Sequence, residues 1–133
     1  MTQTTGNNHP RVVSGINEAI DLAANDQNSV AVQLLTALAE EFPQASSVHG
    51  YLAWFLLQIG RHQEAIEHSR EAVSLSPKSE RASLVHFHVL WKAGQHIQAL
   101  DEMKRFLTIR PSQEYADIIK DWEPGKGTRQ DNQ

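Results

Sequence analysis

Three prolines constrain this chain more than any other residues do. Pro43, Pro77 and Pro111 stand 34 positions apart, twice over. Ala31, Ala65 and Ala99 keep the same step, as do Gly60 and Gly94, with Asp26 in the matching place of the first interval. The stretch GRHQEA that begins at Gly60 returns at Gly94 as GQHIQA. Three residue types in one register mark a structural unit used three times. A fixed period of this length belongs to stacked arrays, in which each unit buries its apolar face against the next.

Each unit reads as two helices. In SVHGYLAWFLLQI the apolar residues recur at helical spacing, and Gly60 ends the run, since glycine accepts the left-handed conformation that closes a helix. In HQEAIEHSREAVSL, Ala65, Ile66, Ser69, Ala72, Val73 and Leu75 share one side. Ser76-Pro77 stops that helix, and Ser79 is placed to cap the next. The same reasoning gives helices near 80–93 and 95–109, and in a more degenerate first unit near 10–25 and 29–42, with Pro10 as a first helical residue. SQEYADIIKDW is a seventh, shorter helix capped by Ser112. The expected class is all-α. Residues 1–9 and 123–133 are polar or rich in helix breakers and are expected to be disordered ends around a folded region over 10–122.

Composition narrows the function classes. At 133 residues and 40% hydrophobic content, one domain with a real core is expected. A formal charge of −4 supplies no footprint for nucleic acid and no polybasic patch for a membrane, so neither is expected as a partner. No cysteine is present, which removes disulfides and thiolate chemistry and fits a reducing cytoplasm. The polar start lacks the apolar stretch of a signal peptide.

The 34-residue helix–turn–helix period resembles the tetratricopeptide repeat family, in its small bacterial-type form. Numbered from Ser46, the residues Leu52, Ala53, Gly60, Ala65, Ala72 and Pro77 fall on the family's signature places. The unit from Glu80 matches with Gly94, Ala99 and Pro111, and the unit from Val12 with Ala19, Ala31 and Pro43. The resemblance implies a solenoid of three repeats, about 12–45, 46–79 and 80–113, with 113–122 as a cap. Ala53 and Ala65 are expected to face each other where two helices cross, and Ala72 to sit where the next unit packs. Phe87 and Phe106 stand in the third unit where Ala53 and Ala72 stand in the second. A large Phe106 should push a standard following helix away, so the cap should pack in an altered way and end the array.

The family's repeats are binding modules, and the resemblance implies a concave groove lined by the first helix of each unit. Position by position, that face holds Val13, Ile16, Ile20, Ala23 and Ala24, then Ser47, Gly50, Trp54, Leu57 and Gln58, then Arg81, Leu84, His88, Trp91 and Lys92. Trp54, Leu57, Gln58, Arg81, Leu84, His88, Trp91 and Lys92 are the candidate partner-binding residues, with Ile16 and Ile20 read as core. Tyr115, Ile118, Ile119 and Trp122 form a stripe on the cap that could cover the end of the groove. One subfamily grips the carboxylate end of heat-shock chaperones. At its ligand-holding places this chain carries Ile16, Ile20, Tyr51, Arg81 and Val85, of which Arg81 alone fits, so that activity is disfavoured.

No constellation of catalytic residues is adequate, and no enzyme is expected. PGKGT near the end lacks the upstream glycine and Lys-Ser/Thr pair of a phosphate loop. His86 and His88 lie on different sides of a helix, and His62 and His68 are spaced too poorly for a metal pair, so no metal or cofactor is expected. His49 and His86 occupy places that face the interior. The leading expectation is a non-catalytic adaptor that binds a peptide or helix of a protein partner. The alternatives are a dedicated neutraliser or chaperone of one partner, such as a toxin immunity protein or secretion chaperone, and a self-assembling structural protein, a homodimer included.

Overall fold

Left-handed backbone closes the first helix of every unit. Asp26, Gly60 and Gly94 have φ of 63°, 82° and 84° in the computed structural model, which describes residues 6–122. At each of the three places the same two hydrogen bonds form. Gln27 N–H donates to the Leu22 carbonyl at 2.9 Å, Arg61 to Leu56 at 3.0 Å and Gln95 to Leu90 at 2.9 Å. One residue earlier, Asp26, Gly60 and Gly94 donate to Ala23, Leu57 and Trp91 at 3.0, 3.1 and 3.0 Å. This is the Schellman closure, which satisfies the orphan carbonyls of a helix end. It recurs at the 34-residue step.

Seven helices form among the described residues: α1 Pro10–Ala24, α2 Asn28–Glu41, α3 Ser46–Gln58, α4 His62–Leu75, α5 Glu80–Lys92, α6 His96–Leu107 and α7 Gln113–Asp121. No strand accompanies them there. Helices α1/α2, α3/α4 and α5/α6 pair within units, α2 meets α3 and α4 meets α5 between units, and α1, α3 and α5 lie side by side along one face. Small residues set these approaches. Ala19, Ala31, Ala53, Ala65, Ala72 and Ala99 are wholly buried. In the first unit Leu38 takes the place of Ala72, and α1 accommodates it with Gly15, where a Cβ would come within 2.7 Å of Leu38 Cδ2.

The third unit departs as the two phenylalanines foretell. Phe87 and Phe106 are buried, and α7 docks on them through Tyr115, whose ring lies 5.5 Å from Phe87 and 6.1 Å from Phe106. The docking is made by side chains rather than by close backbone approach. Ala45 and Ser79 stand 34 apart at the starts of α3 and α5; the next place in that register is Gln113, yet the capping residue of α7 is Ser112. The register therefore slips by one residue at the start of α7. Tyr115 is sealed in, and its hydroxyl meets the Ser83 hydroxyl at 2.8 Å. Burial pushes the Tyr115 phenol well above its ordinary pKa.

The expectation of a disordered start over 1–9 needs correction for its last part. Residues 6–9 form a turn, with His9 N–H bonded to the Gly6 carbonyl at 3.0 Å and His9 Nδ1 accepting from Arg11 N–H at 3.1 Å. Asn7 reaches α3, donating to Ser46 Oγ at 3.2 Å and accepting from Ser47 N–H and Oγ at 3.1 and 2.9 Å. These bonds cap two helix starts and fix the segment. Residues 1–5 and the expected tail over 123–133 lie outside the described residues.

Two substitutions test the closures. Gly60→Ala forces a side chain into the left-handed region and should cost about 1 kcal/mol, while Asp26→Gly relieves the same strain and should gain up to about 1 kcal/mol. Urea unfolding midpoints should move in opposite directions. Equal destabilisation by both would refute a shared closure.

Candidate partner-binding groove

The face formed by α1, α3 and α5 carries a groove of about 690 Å³. Successive turns of α3 supply Ser47, Gly50, Tyr51, Trp54 and Phe55; α1 supplies Ile20, α5 supplies Arg81, Ala82 and Val85, and the N-terminal turn supplies Asn7. Ser76 and Ser79, from the turn between units, complete it. Trp54 is 37% exposed and Ile20 38%, large apolar side chains left open to solvent on a wall otherwise packed. Exposed aromatic and aliphatic groups gathered in a concavity are the usual mark of an interaction surface.

Arg81 is the one formally charged side chain on this lining. Its Nη1 donates to the Tyr51 hydroxyl at 2.8 Å, and its guanidinium sits 5.6 Å from the Tyr51 ring centre. Among the described residues Arg81 has no ion pair, unlike Arg11, Arg61 and Arg105, which pair with Glu41, Glu64 and Glu102. The tyrosine orients the cation without neutralising it, so the groove keeps a preference for negative charge.

The residues singled out from sequence divide here. Trp54 and Arg81 line the groove; Gln58 and Lys92 are exposed but stand outside its lining. His88 is half-buried with its ring edge-on to Trp54 at 6.4 Å, and burial holds its pKa below the ordinary value. Leu57 is buried at 7% exposure, a correction: in the last turn of α3 it belongs to the core. Leu84 is half-buried against the same core. Trp91 also needs correction as an open anchor. Its ring stacks with His96 at 4.1 Å and with Trp122 at 5.0 Å, so the residue after α7 covers part of the α5 end of the concave face. Of the stripe on α7, Tyr115 is buried, Ile118 half-buried and Ile119 exposed. Ile20, read as core, instead lines the groove, while Ile16 is buried as expected. Tyr51 and Val85 are groove residues that sequence reasoning passed over, although both stand at places where a related subfamily holds its ligand.

Buried and half-buried histidines also tie the helices together. His49 Nε2 bonds the Pro43 carbonyl at 2.9 Å, which makes that nitrogen the donor. Its Nδ1 then accepts from His68 Nδ1–H at 3.0 Å. Desolvation, then the facing His49, lowers the His68 pKa. His86 Nδ1 meets Ser69 Oγ at 2.7 Å, and burial pushes its pKa down to about 4 despite the opposing pull of Glu102. His49 and His86, expected inside, thus take separate partners.

The sign of the resulting pH dependence follows from His86. Between its unfolded pKa near 6.5 and its folded value of about 4, the unfolded chain binds a proton that the folded chain refuses. Stability should be complete above pH 6.5 and fall steadily toward pH 4. His86→Gln should flatten this slope in urea titrations across that range, and an unchanged slope would assign the acid sensitivity elsewhere.

Comparison with known proteins places this architecture. A family model described as tetratricopeptide repeat matches residues 16–80, from within α1 to the first residue of α5. No curated protein matches the chain significantly. Among solved structures, a mutant of MamA superposes with a TM-score of 0.65 at 22% identity, over 81% of this chain and 79% of that one. No described helix is long and apolar enough to cross a membrane. The repeat register, the recurring helix closures and this superposition agree on one architecture: the described helices have the tetratricopeptide-repeat fold, and residues 16–80 match that repeat's family model.

Proposed function

We propose that this protein is a non-catalytic interaction module that holds a peptide or helix of a protein partner in the groove between α1, α3 and α5. Tetratricopeptide repeats are protein-interaction modules as a class, and the observation that supports the groove as the site is the open apolar wall around Trp54. A partner side chain set against Trp54, Ile20, Tyr51 and Val85 removes apolar surface on both sides from water, worth about 25 cal/mol per Å² before ordering costs. Arg81 steers an acidic segment toward that contact and sets its register. Lys92, exposed at the end of α5, adds to the same field. The cap confines the site to the first two units and the start of the third, because Trp122 lies over Trp91.

Trp54→Ala should leave the helical signal unchanged, since the ring is partly exposed, and should weaken partner binding by about 2 kcal/mol or more. Arg81→Glu should slow association and reduce its dependence on salt. Binding that survives both changes at full strength would rule out the groove.

A further inference from the structure

Of the five described glycines, four have a reason within the fold. Gly6, Gly60 and Gly94 take positive φ, and Gly15 gives room to Leu38. Gly50 has neither reason. It lies inside α3 with ordinary helical backbone, and a Cβ added there would meet nothing within 4 Å. Glycine inside a helix is less stable than alanine, so the free chain gains nothing from it.

The repeat shows what is missing. Stepping by 34 residues, the matching places in α1 and α5 hold Ile16 and Leu84. Two units carry a branched aliphatic side chain where the middle unit carries none. The open space at Gly50 belongs to the groove, whose lining also holds Ile20, Trp54 and Arg81.

We infer that Gly50 is a socket for the partner: it receives one aliphatic side chain, leucine, isoleucine or methionine, from a segment that also carries a carboxylate close by for Arg81. The inference rests on the groove being the binding site. The apolar walls and the volume left by one absent leucine fix the first element. The unpaired guanidinium on the same lining fixes the second.

The test uses the full chain and a display library of random short peptides, with enriched sequences synthesised and titrated. They should share an aliphatic residue with an aspartate or glutamate nearby. Gly50→Leu restores the side chain of the flanking units; it should stay folded and lose roughly tenfold or more in affinity for these peptides. Gly50→Ala should raise the Tm by about 3 °C and weaken binding less than Gly50→Leu. Replacing the peptide's aliphatic residue by alanine should weaken binding to the wild type and hardly change binding to Gly50→Leu. Wild-type affinity in Gly50→Leu, with Trp54→Ala still defective, would overturn the socket and leave the groove standing. A lower Tm in Gly50→Ala would also overturn it, because the glycine would then serve the fold. No enriched peptide, or affinity unmoved by Gly50→Leu and Trp54→Ala alike, would overturn socket and groove together.

Discussion

The close approach of helices at buried alanines is the contact on which the remaining architecture depends. Where Ala19, Ala31, Ala53 and Ala65 sit, no side chain holds the paired helices apart, and α1, α3 and α5 come into line with a concave face between them. Interiors are packed too densely to absorb an added ring at such a point. The third unit shows the converse. Phe87 and Phe106 replace two alanines, Tyr115 packs on both, and α7 starts one residue out of the repeat register. The same substitutions seat α7 through Tyr115, and Trp122 just beyond it stacks on Trp91.

A polar seam works within this apolar frame. Among the described residues no buried side-chain nitrogen or oxygen lacks a hydrogen-bond partner. Ser69, Ser83, His49 and His86 are all buried, and each makes a hydrogen bond to a neighbouring helix. Hydrogen bonds inside a low-dielectric core contribute modestly when made and cost heavily when broken, so they favour one packing over near alternatives. Glu102 follows the same rule on α6. Buried at 8% exposure, it receives Arg105 at 2.9 and 2.7 Å, and Arg105 in turn holds the Pro77 carbonyl at 3.0 Å. One ion pair thereby joins the third unit to the turn that ends the second.

The helices were legible because their signals are local. Proline, glycine and apolar spacing act within a few residues, and the observed boundaries fall within about two residues of those expected. The concave face was partly legible, since position in a repeat fixes the direction of a side chain. Trp54 and Arg81 were found that way. Position puts Leu57 on the same face, but it is buried, because burial in the last turn of α3 depends on what the neighbouring elements bring to it. Trp91 was misjudged for the same reason, as its cover arrives from 31 positions later in the chain. Asn7 and the His49–His68 pair belong to contacts between distant segments that no periodicity encodes. Repeat position alone makes Gly50 one more residue of the concave face. Its significance needed the space around it.

The stacked indoles at the array's end give this protein an optical property of its own. Trp91 and Trp122 lie 5.0 Å apart with planes inclined by 22°, while Trp54 stands apart against His88. Electronic transitions of two indoles held so near couple, and the coupled pair contributes a signed feature to the circular dichroism that isolated rings lack. That feature exists only while α7 is docked. The chain thus carries one stacked indole pair that registers the docking of α7, and apart from it Trp54, whose ring lies on the groove.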